Sequence, residues 1–200
     1  MARRTFFSFH YTPDVWRAMN VRKSWEFLPG RQDADGFFDA SVFEASQRES
    51  EESLKRFLRE GLKNSSVTCV LAGTMTSERK WVRYEIAQSV LKGNGLVAVD
   101  IHNVKNKDGH TSNRGDDPLA KMGLYKADGA VFLAELQGTK WVKYQDYSLA
   151  IPTSVLWFPP PTSNTVVKLS DHCMRYDFIR DDGRSSIGDW LEEAASLAGR

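Results

Sequence analysis

Residues 66–102, SVTCVLAGTMTSERKWVRYEIAQSVLKGNGLVAVDIH, contain two apolar runs on either side of an amphipathic segment. The runs at 66–73 and 95–102 are continuous and rich in β-branched residues, which is typical of strands buried on both faces. The segment at 77–90 has apolar residues at helical spacing and is followed by glycines, so it predicts a helix. Strand, helix and strand in this order predict a parallel pair of strands joined by a crossover helix.

The residues before this unit repeat the same alternation. The aromatic-rich run at 5–11 predicts a strand, and Thr12-Pro13 opens a helix over 12–28. A short second strand is expected at 36–43. An amphipathic helix is expected at 50–63, where acidic residues stand at its start and leucines form a buried stripe. We therefore predict an α/β fold with a central parallel sheet and helices on both faces.

The second half of the chain is less regular than the first. Residues 103–129 are polar and rich in Lys, Asn, Asp and Gly, which predicts a long loop that is functional or mobile. Extra short strands are expected at 130–136, 139–144 and 154–158, and a terminal helix is expected at 186–198.

The length of 200 residues suits a single domain with a real hydrophobic core. We expect one domain over residues 1–200. It divides into a core of βα repeats (1–102), an insertion or loop region (103–147), and a last part with the final strands and the C-terminal helix (148–200).

The composition argues against several classes of partner. The net charge is +1, from 27 basic and 26 acidic residues, so no global field attracts nucleic acid or an anionic membrane. No apolar stretch reaches the roughly 18 residues of a membrane helix. Cys69 and Cys173 have neither metal nor disulfide spacing, which indicates a reducing cytoplasm.

Common catalytic motifs are missing from the chain. There is no P-loop, no dinucleotide-binding glycine motif, no zinc-protease motif and no serine-hydrolase elbow. The four histidines show no metal-ligand spacing among themselves or with the cysteines. We therefore expect neither a metal nor a bound cofactor.

One acidic residue of the helix at 77–90 lacks an intrahelical partner. No Lys or Arg stands three or four positions from Glu85, and Trp81, Tyr84 and Gln88 share its helical face. A lone Glu on a helix is most often solvated, and neighbouring aromatic residues most often serve packing. A functional role of Glu85 and its aromatic neighbours is the alternative to these structural interpretations.

The carboxyl ends of the predicted parallel strands are where ligands gather in such sheets. Ser8 and His10 stand at the end of the first strand, Asp39 follows the second, and 73–76 leads into the helix of Glu85. If that helix packs beside the first strand, its carboxylate reaches the same cleft. His10 could equally be a satisfied strand-end histidine, and Asp39 could cap a turn.

The order of these motifs resembles the TIR (Toll/interleukin-1 receptor) domain family. The resemblance rests on FFSF at 6–9, FFD at 37–39 and SERKWVRYE at 77–85. In the NAD-cleaving members a Trp stands four residues before the catalytic Glu, as Trp81 and Glu85 do here.

The match is closer to the TIR-like sensors of the bacterial Thoeris anti-phage system. They share the FFSFHY, FDAS and WVRYEI stretches, and the later segments TKW (139–141) and 176–183 are also similar. Val82 follows the Trp, where many TIR domains have Cys, and this too agrees with the Thoeris subgroup.

This resemblance implies a flavodoxin-like TIR fold and an enzyme that cleaves the nicotinamide–ribose bond of NAD, which is then substrate and not cofactor. The product would be a cyclic ADP-ribose isomer that switches on a separate effector, and TIR enzymes commonly assemble as homo-oligomers. The implied catalytic residue is Glu85. The implied substrate contacts are the aromatic rings of Phe9, Trp81 and Tyr84, which would stack on nicotinamide or adenine, and Ser8, His10 and Asp39, which would bind the ribose and the diphosphate.

Other interpretations remain open at this point. A non-catalytic TIR-like scaffold that assembles with other TIR domains or an effector is the main alternative. A flavodoxin-like or receiver-like binder is disfavoured, because no paired acidic cluster for Mg²⁺ follows the first strand. The region 103–147 could form a lid, recognise an infection trigger or serve assembly.

Overall fold

The computed structural model describes residues 4–26 and 50–200. The strand expected at 36–43 and the candidate residue Asp39 lie outside the described residues. Besides short 3-10 helices, the described residues form helices α1 (Tyr11–Glu26), α2 (Glu51–Leu62), α3 (Lys80–Lys92) and α4 (Gly183–Leu197), and strands β1 (Thr5–Phe9), β2 (Val67–Ala72), β3 (Gly95–Asp100), β4 (Met122–Ala127), β5 (Ala130–Gln137), β6 (Lys140–Lys143), β7 (Val167–Lys168) and β8 (Met174–Asp177).

The centre of the fold is a parallel sheet with the strand order β1-β2-β3-β8. Every residue of β2 and β3 is buried, because both faces of the sheet are covered. This double burial explains why the two sequences are continuous apolar runs. The predicted α/β class with a central parallel sheet is confirmed.

Helices cover both faces of this sheet. On one face, α1 and α4 contribute Val21 and Leu191 to a core cluster with alternate residues of β2 and β3. On the opposite face, α3 contributes Ile86 to a second cluster. The outer side of α3 is covered in turn by α2, where Leu58 packs against Tyr84. The helix of Glu85 is therefore enclosed from two sides.

A second, antiparallel sheet packs on the α3 face, with the strand order β6-β5-β4-β7. Met122 and Leu124 of β4 and Leu133 of β5 join the same core cluster as α3. The strand β4 lies inside 103–129, so the prediction of one long loop there is wrong for its last part. A half-exposed strand such as β4 buries only alternate residues. Its apolar pattern is therefore short and is hard to recognise among polar neighbours.

The strand expected at 154–158 is also wrong. The segment contains a 3-10 helix at Thr153–Val155, and the nearest strand-like contact is an isolated bridge between Ile151 and Val131. Prolines on both sides of the segment, at 152 and 159–161, remove backbone donors that a strand pairing would need. The strands expected at 130–136 and 139–144 are confirmed as β5 and β6.

Several element boundaries differ from those expected. β1 ends at Phe9, and α1 already begins at Tyr11. α3 begins at Lys80, after a 3-10 turn at Thr76–Glu78. α4 begins at Gly183, three residues before the expected start. Helical spacing predicts an inward side chain for Leu197, but this residue is exposed. The strand β8, which pairs with β3 in the parallel sheet, was not predicted from the sequence.

Within 4–26 and 50–200, no helix combines the length and apolar character of a membrane span. Cys69 and Cys173 are both free thiols.

Candidate active site

Glu85 lies on the side of α3 that is turned toward β1. The hydroxyl of Ser8, in β1, donates a hydrogen bond to Oε2 of Glu85, although the two residues are 77 positions apart in the chain. Both side chains are buried, with 5% of Glu85 and 1% of Ser8 exposed. Phe7 and Phe9 pack toward α1 and α4, so the strand alternation turns Ser8 to the opposite face, where α3 lies.

The electrostatic environment of Glu85 is unusual for a carboxyl group. Burial raises the pKa of Glu85 to about 8, and the hydrogen bond from Ser8 opposes this effect only in part. Among the described residues, no Lys, Arg or His forms an ion pair with the carboxylate. The site therefore holds a carboxyl group that is poised to ionise when a positive charge approaches it.

His10 stands two residues beyond Ser8, at the same end of β1. Its side chain is half-buried, and Nδ1 has no hydrogen-bond partner among the residues that the structure describes. Burial lowers the pKa of His10, and the positive charge of Arg79 lowers it further. Arg79 is the N-cap residue of α3, and nothing in the sequence pattern singled it out. The structure thus brings His10 and Ser8 to one edge of the sheet, and Arg79 lies within electrostatic range of His10.

The crevice between the ends of β1 and β2 is filled by the protein itself. Asp14, in the first turn of α1, is buried, and its carboxylate occupies the space that a side chain at Gly73 would need. Burial raises the pKa of Asp14, while Arg17 at 3.4 Å opposes that effect. Sequence reasoning missed Asp14, because an acidic residue at a helix start normally serves the helix dipole. The Asp14 carboxylate therefore occupies the space beside Gly73 and leaves no room for another group there.

The polar loop that follows β3 covers the carboxyl ends of β2 and β3, next to the space that Asp14 fills. The hydroxyl of Thr74 donates a hydrogen bond to the carbonyl of Asn113 at 2.6 Å. The backbone of Gly115 packs so tightly on Gly73 and Thr74 that a Cβ at position 115 would overlap their carbonyl oxygens. Arg17 donates to the carbonyl of Val104 at 2.9 Å, which ties the same loop to α1. The loop is thus a fixed wall at the ends of β2 and β3.

The aromatic residues expected to stack on substrate have other surroundings. The ring of Phe9 packs against the core cluster of α1 and α4, on the face opposite Ser8. Tyr84 is 1% exposed, packs on α2, and accepts a hydrogen bond from Arg59 at 2.9 Å. The ring of Tyr84 is therefore committed to packing, whereas Phe9 is only partly buried and its ring also lies 6.2 Å from the ring of Tyr11. Trp81 is half-buried in edge-on contact with Tyr84.

A second set of buried polar residues follows β3 and β8. Asp100 is fully buried and is bound by Arg114 and Arg175, each at 2.7 Å. Next to it, Nε2 of His102 lies 3.7 Å from Oδ2 of Asp177. Sequence reasoning missed this set, because its members are far apart in the chain and join only through the parallel pairing of β3 with β8. The two arginines satisfy Asp100, so this carboxylate is structural.

The surroundings of Glu85 determine which chemistry is possible at this end of the parallel sheet. Within the described segments, no group of His, Cys, Asp and Glu could hold a metal ion. Glu85 is buried, holds a hydrogen bond from Ser8 and has no cationic partner in the described part of the chain, and it lies at the end of the sheet where His10 also lies. A carboxylate in such surroundings is suited to stabilise a positive charge that develops on a bound molecule.

Two comparisons with known proteins identify the family of this chain. Residues 6–106 match the family described as "Thoeris protein ThsB, TIR-like domain". The chain is 38% identical over 194 residues to "Putative cyclic ADP-D-ribose synthase ThsB1" from Bacillus cereus (strain MSX-D12), covering 96% of this chain and 100% of that protein. The parallel sheet with helices on both faces is the flavodoxin-like architecture that the family resemblance implied. The chain belongs to the Thoeris ThsB family of TIR-like proteins.

Proposed function

We propose that this protein cleaves the nicotinamide–ribose bond of NAD and converts the ADP-ribose part into a cyclic isomer. The observation that carries the proposal is the buried Glu85 carboxyl, held by Ser8 and without a cationic partner among the described residues. The name of the Bacillus cereus relative, a cyclic ADP-D-ribose synthase, supports the same reaction class. The cyclic product would act as the diffusible signal of an anti-phage defence and reach a separate effector protein.

The reaction fits a site with one carboxylate and no general acid. The nicotinamide of NAD is already a pyridinium cation, so the C–N bond breaks with its electron pair leaving on neutral nicotinamide. Positive charge then develops at the anomeric carbon of the ribose, and the Glu85 carboxylate stabilises it. An internal hydroxyl of the ADP-ribose, or water, forms the new bond to this carbon and releases a proton. A ring forms when the internal group is held closer than water.

The direct test is mass spectrometry of the small molecules that the purified protein, alone or from phage-infected cells, forms from NAD. We expect equal amounts of nicotinamide and of a product that is lighter than ADP-ribose by one water. Linear ADP-ribose as the sole product would correct the proposal from cyclase to hydrolase. Intact NAD in every sample would contradict the proposal and favour a non-catalytic scaffold.

The pH dependence of the reaction gives a further expected result. The free enzyme must present ionised Glu85 to the substrate, and the pKa of this group is about 8. We therefore expect kcat/KM for NAD to rise by about tenfold from pH 7 to a plateau above about pH 9, since kcat/KM reports the ionisations of the free enzyme. Initial rates of nicotinamide release between pH 6 and 9.5 measure this profile, and a flat profile would contradict the role of Glu85.

A further inference from the structure

We propose that Ser8 is a positioning residue of the reaction: its hydroxyl fixes Oε2 of Glu85 and leaves Oε1 as the acceptor for the substrate. The inference rests on the proposed NAD cleavage and deepens it. It replaces the sequence-based expectation that Ser8 contacts the ribose or the diphosphate. The hydroxyl has one proton, and that proton is already donated to Glu85.

The backbone around Ser8 is rigid, which suits a positioning role. Ser8 lies within the parallel pairing of β1 with β2, one residue before its last pair, opposite Val70, and is 1% exposed. Glu85 has a long side chain, and no other described residue hydrogen-bonds to its carboxyl oxygens. Without Ser8, the carboxylate would have to lose its rotational freedom when the substrate binds. The strand therefore supplies an anchor before binding takes place.

The hydrogen bond from Ser8 stabilises the ionised form of the Glu85 carboxyl more than the neutral form. A hydroxyl donates more strongly to a carboxylate than to a neutral acid, because the bond is then assisted by charge. The bond from Ser8 accordingly lowers the pKa of Glu85 against the larger effect of burial. Ser8 thus has two consequences for the site: it orients the carboxylate and keeps more of it ionised at neutral pH.

Among residues 4–26 and 50–200, no other charged group near Glu85 is free to take over this role. On α2, Arg59 donates to the hydroxyl of Tyr84. On α3, Arg83 pairs with Glu135 of the antiparallel sheet at 3.0 Å. The raised pKa of Glu85 has burial as its cause and the Ser8 hydrogen bond as the opposing effect, with no contribution from either arginine, from His10 beyond β1 or from Arg79 at the start of α3. Ser8 is therefore the one described side chain that both contacts the carboxylate and favours its ionised form.

The chain offers a matched control on the same helix. Ser89 is fully buried, and its hydroxyl donates to the backbone carbonyl of Glu85 at 2.7 Å, with Thr68 as its other partner. Ser8→Ala and Ser89→Ala thus each remove one buried hydroxyl that contacts the same residue. Only Ser8 contacts the carboxylate. A merely structural effect of losing a buried hydroxyl would appear in both variants.

The experiment combines two readouts on the wild type, Ser8→Ala and Ser89→Ala. Carbon-13 NMR titration of the Glu85 carboxyl, without NAD, measures its pKa directly. Initial rates of nicotinamide release between pH 6 and 9.5 measure the pH profile of kcat/KM and, with saturating NAD, kcat. For Ser8→Ala we expect the pKa and the rising limb to move upward by about one unit and kcat at pH 7 to fall 10- to 100-fold, the range for losing a charge-assisted hydrogen bond. For Ser89→Ala we expect neither to move.

The outcomes separate this inference from the proposed function. Active wild type with an unchanged pKa and pH profile in Ser8→Ala would overturn the positioning role. A higher KM in Ser8→Ala without a change in kcat or in the profile would overturn it too, because Ser8 would then contact the substrate. Equal shifts in Ser8→Ala and Ser89→Ala would reduce Ser8 to a packing residue. A wild type that leaves NAD intact would overturn the proposed function, whatever the NMR titration gives.

Discussion

Glu85→Gln is expected to lower kcat/KM for NAD by a factor of about 10² to 10³ or more, with the fold intact. Gln has nearly the same volume as Glu, and its amide oxygen can accept the hydrogen bond of Ser8. It cannot carry the negative charge that offsets the charge on the anomeric carbon. Initial rates of nicotinamide release at saturating and at low NAD measure the loss, and circular dichroism checks the fold.

The same variant should also be more stable than the wild type at alkaline pH. The pKa of Glu85 is raised from 4.5 to about 8 in the folded protein. Between these values the unfolded chain releases the proton while the folded protein retains it, so this residue makes wild-type stability fall as the pH rises. The variant lacks this dependence. We expect its free energy of unfolding to exceed that of the wild type by on the order of a few kcal/mol at pH 8 and by little at pH 4.5.

A matched control exists just before α3. Glu78 is exposed, and Glu78→Gln makes the same chemical change without touching the buried site. We expect this variant to keep its activity and to show no pH-dependent gain in stability. If Glu85→Gln released nicotinamide as fast as the wild type, Glu85 would not be the catalytic carboxylate. Urea unfolding at pH 4.5 and at pH 8 measures the free energy of unfolding of each variant.

The parts of the fold that could be predicted are those whose environment is uniform along the chain. The strands β2 and β3 are buried on both faces, so every residue reports the same environment and the apolar runs are unmistakable. The antiparallel sheet has one exposed face and short strands, and β4 was lost among polar neighbours. The two-residue strand β7 carries no signal of its own, because its place depends wholly on pairing with β4.

The site could be predicted only up to the edge on which it lies. Helical spacing placed Trp81, Tyr84 and Glu85 on one face, but it cannot tell which neighbour covers each residue. The structure divides them: Tyr84 packs on α2, whereas Glu85 turns to β1. The contact with Ser8 joins residues 77 positions apart, and only the order of strands in the sheet brings them together.

Asp14 is a further residue whose role could not be predicted from its position in the sequence. Its position in the first turn of α1 suggested nothing beyond a favourable charge near the helix N-terminus. In the structure its carboxylate fills the crevice beside Gly73, a position at which no side chain could be accommodated. Whether a residue lines a cleft or blocks it depends on distances between separate elements, and a single sequence does not contain them.

Asp100→Asn is expected to destabilise the protein by about 3 kcal/mol, the largest loss of stability that we expect from one substitution. Asp100 is fully buried at the end of β3, and its two oxygens accept hydrogen bonds from Arg175 and Arg114 at 2.7 to 3.2 Å. The neutral amide leaves two guanidinium groups without their shared counter-charge. Both arginines are partly exposed, which places the expected cost at the lower end of the range for breaking a buried pair.

The effect of Asp100→Asn should reach beyond one ion pair, because the carboxylate joins three segments. Arg114 belongs to the loop that closes the sheet edge, and Arg175 belongs to β8. Asp116→Asn is the matched control: Asp116 lies in the same loop, is exposed, and pairs with Lys121 at 2.8 Å. Surface pairs contribute about 0 to 1 kcal/mol, so we expect this variant to unfold within about 4 °C of the wild type and Asp100→Asn to unfold about 6 to 12 °C lower. Equal melting temperatures for the two variants would show that the arginines find sufficient solvation without Asp100, and that the loop is held by its contacts with Gly73, Thr74 and α1 alone.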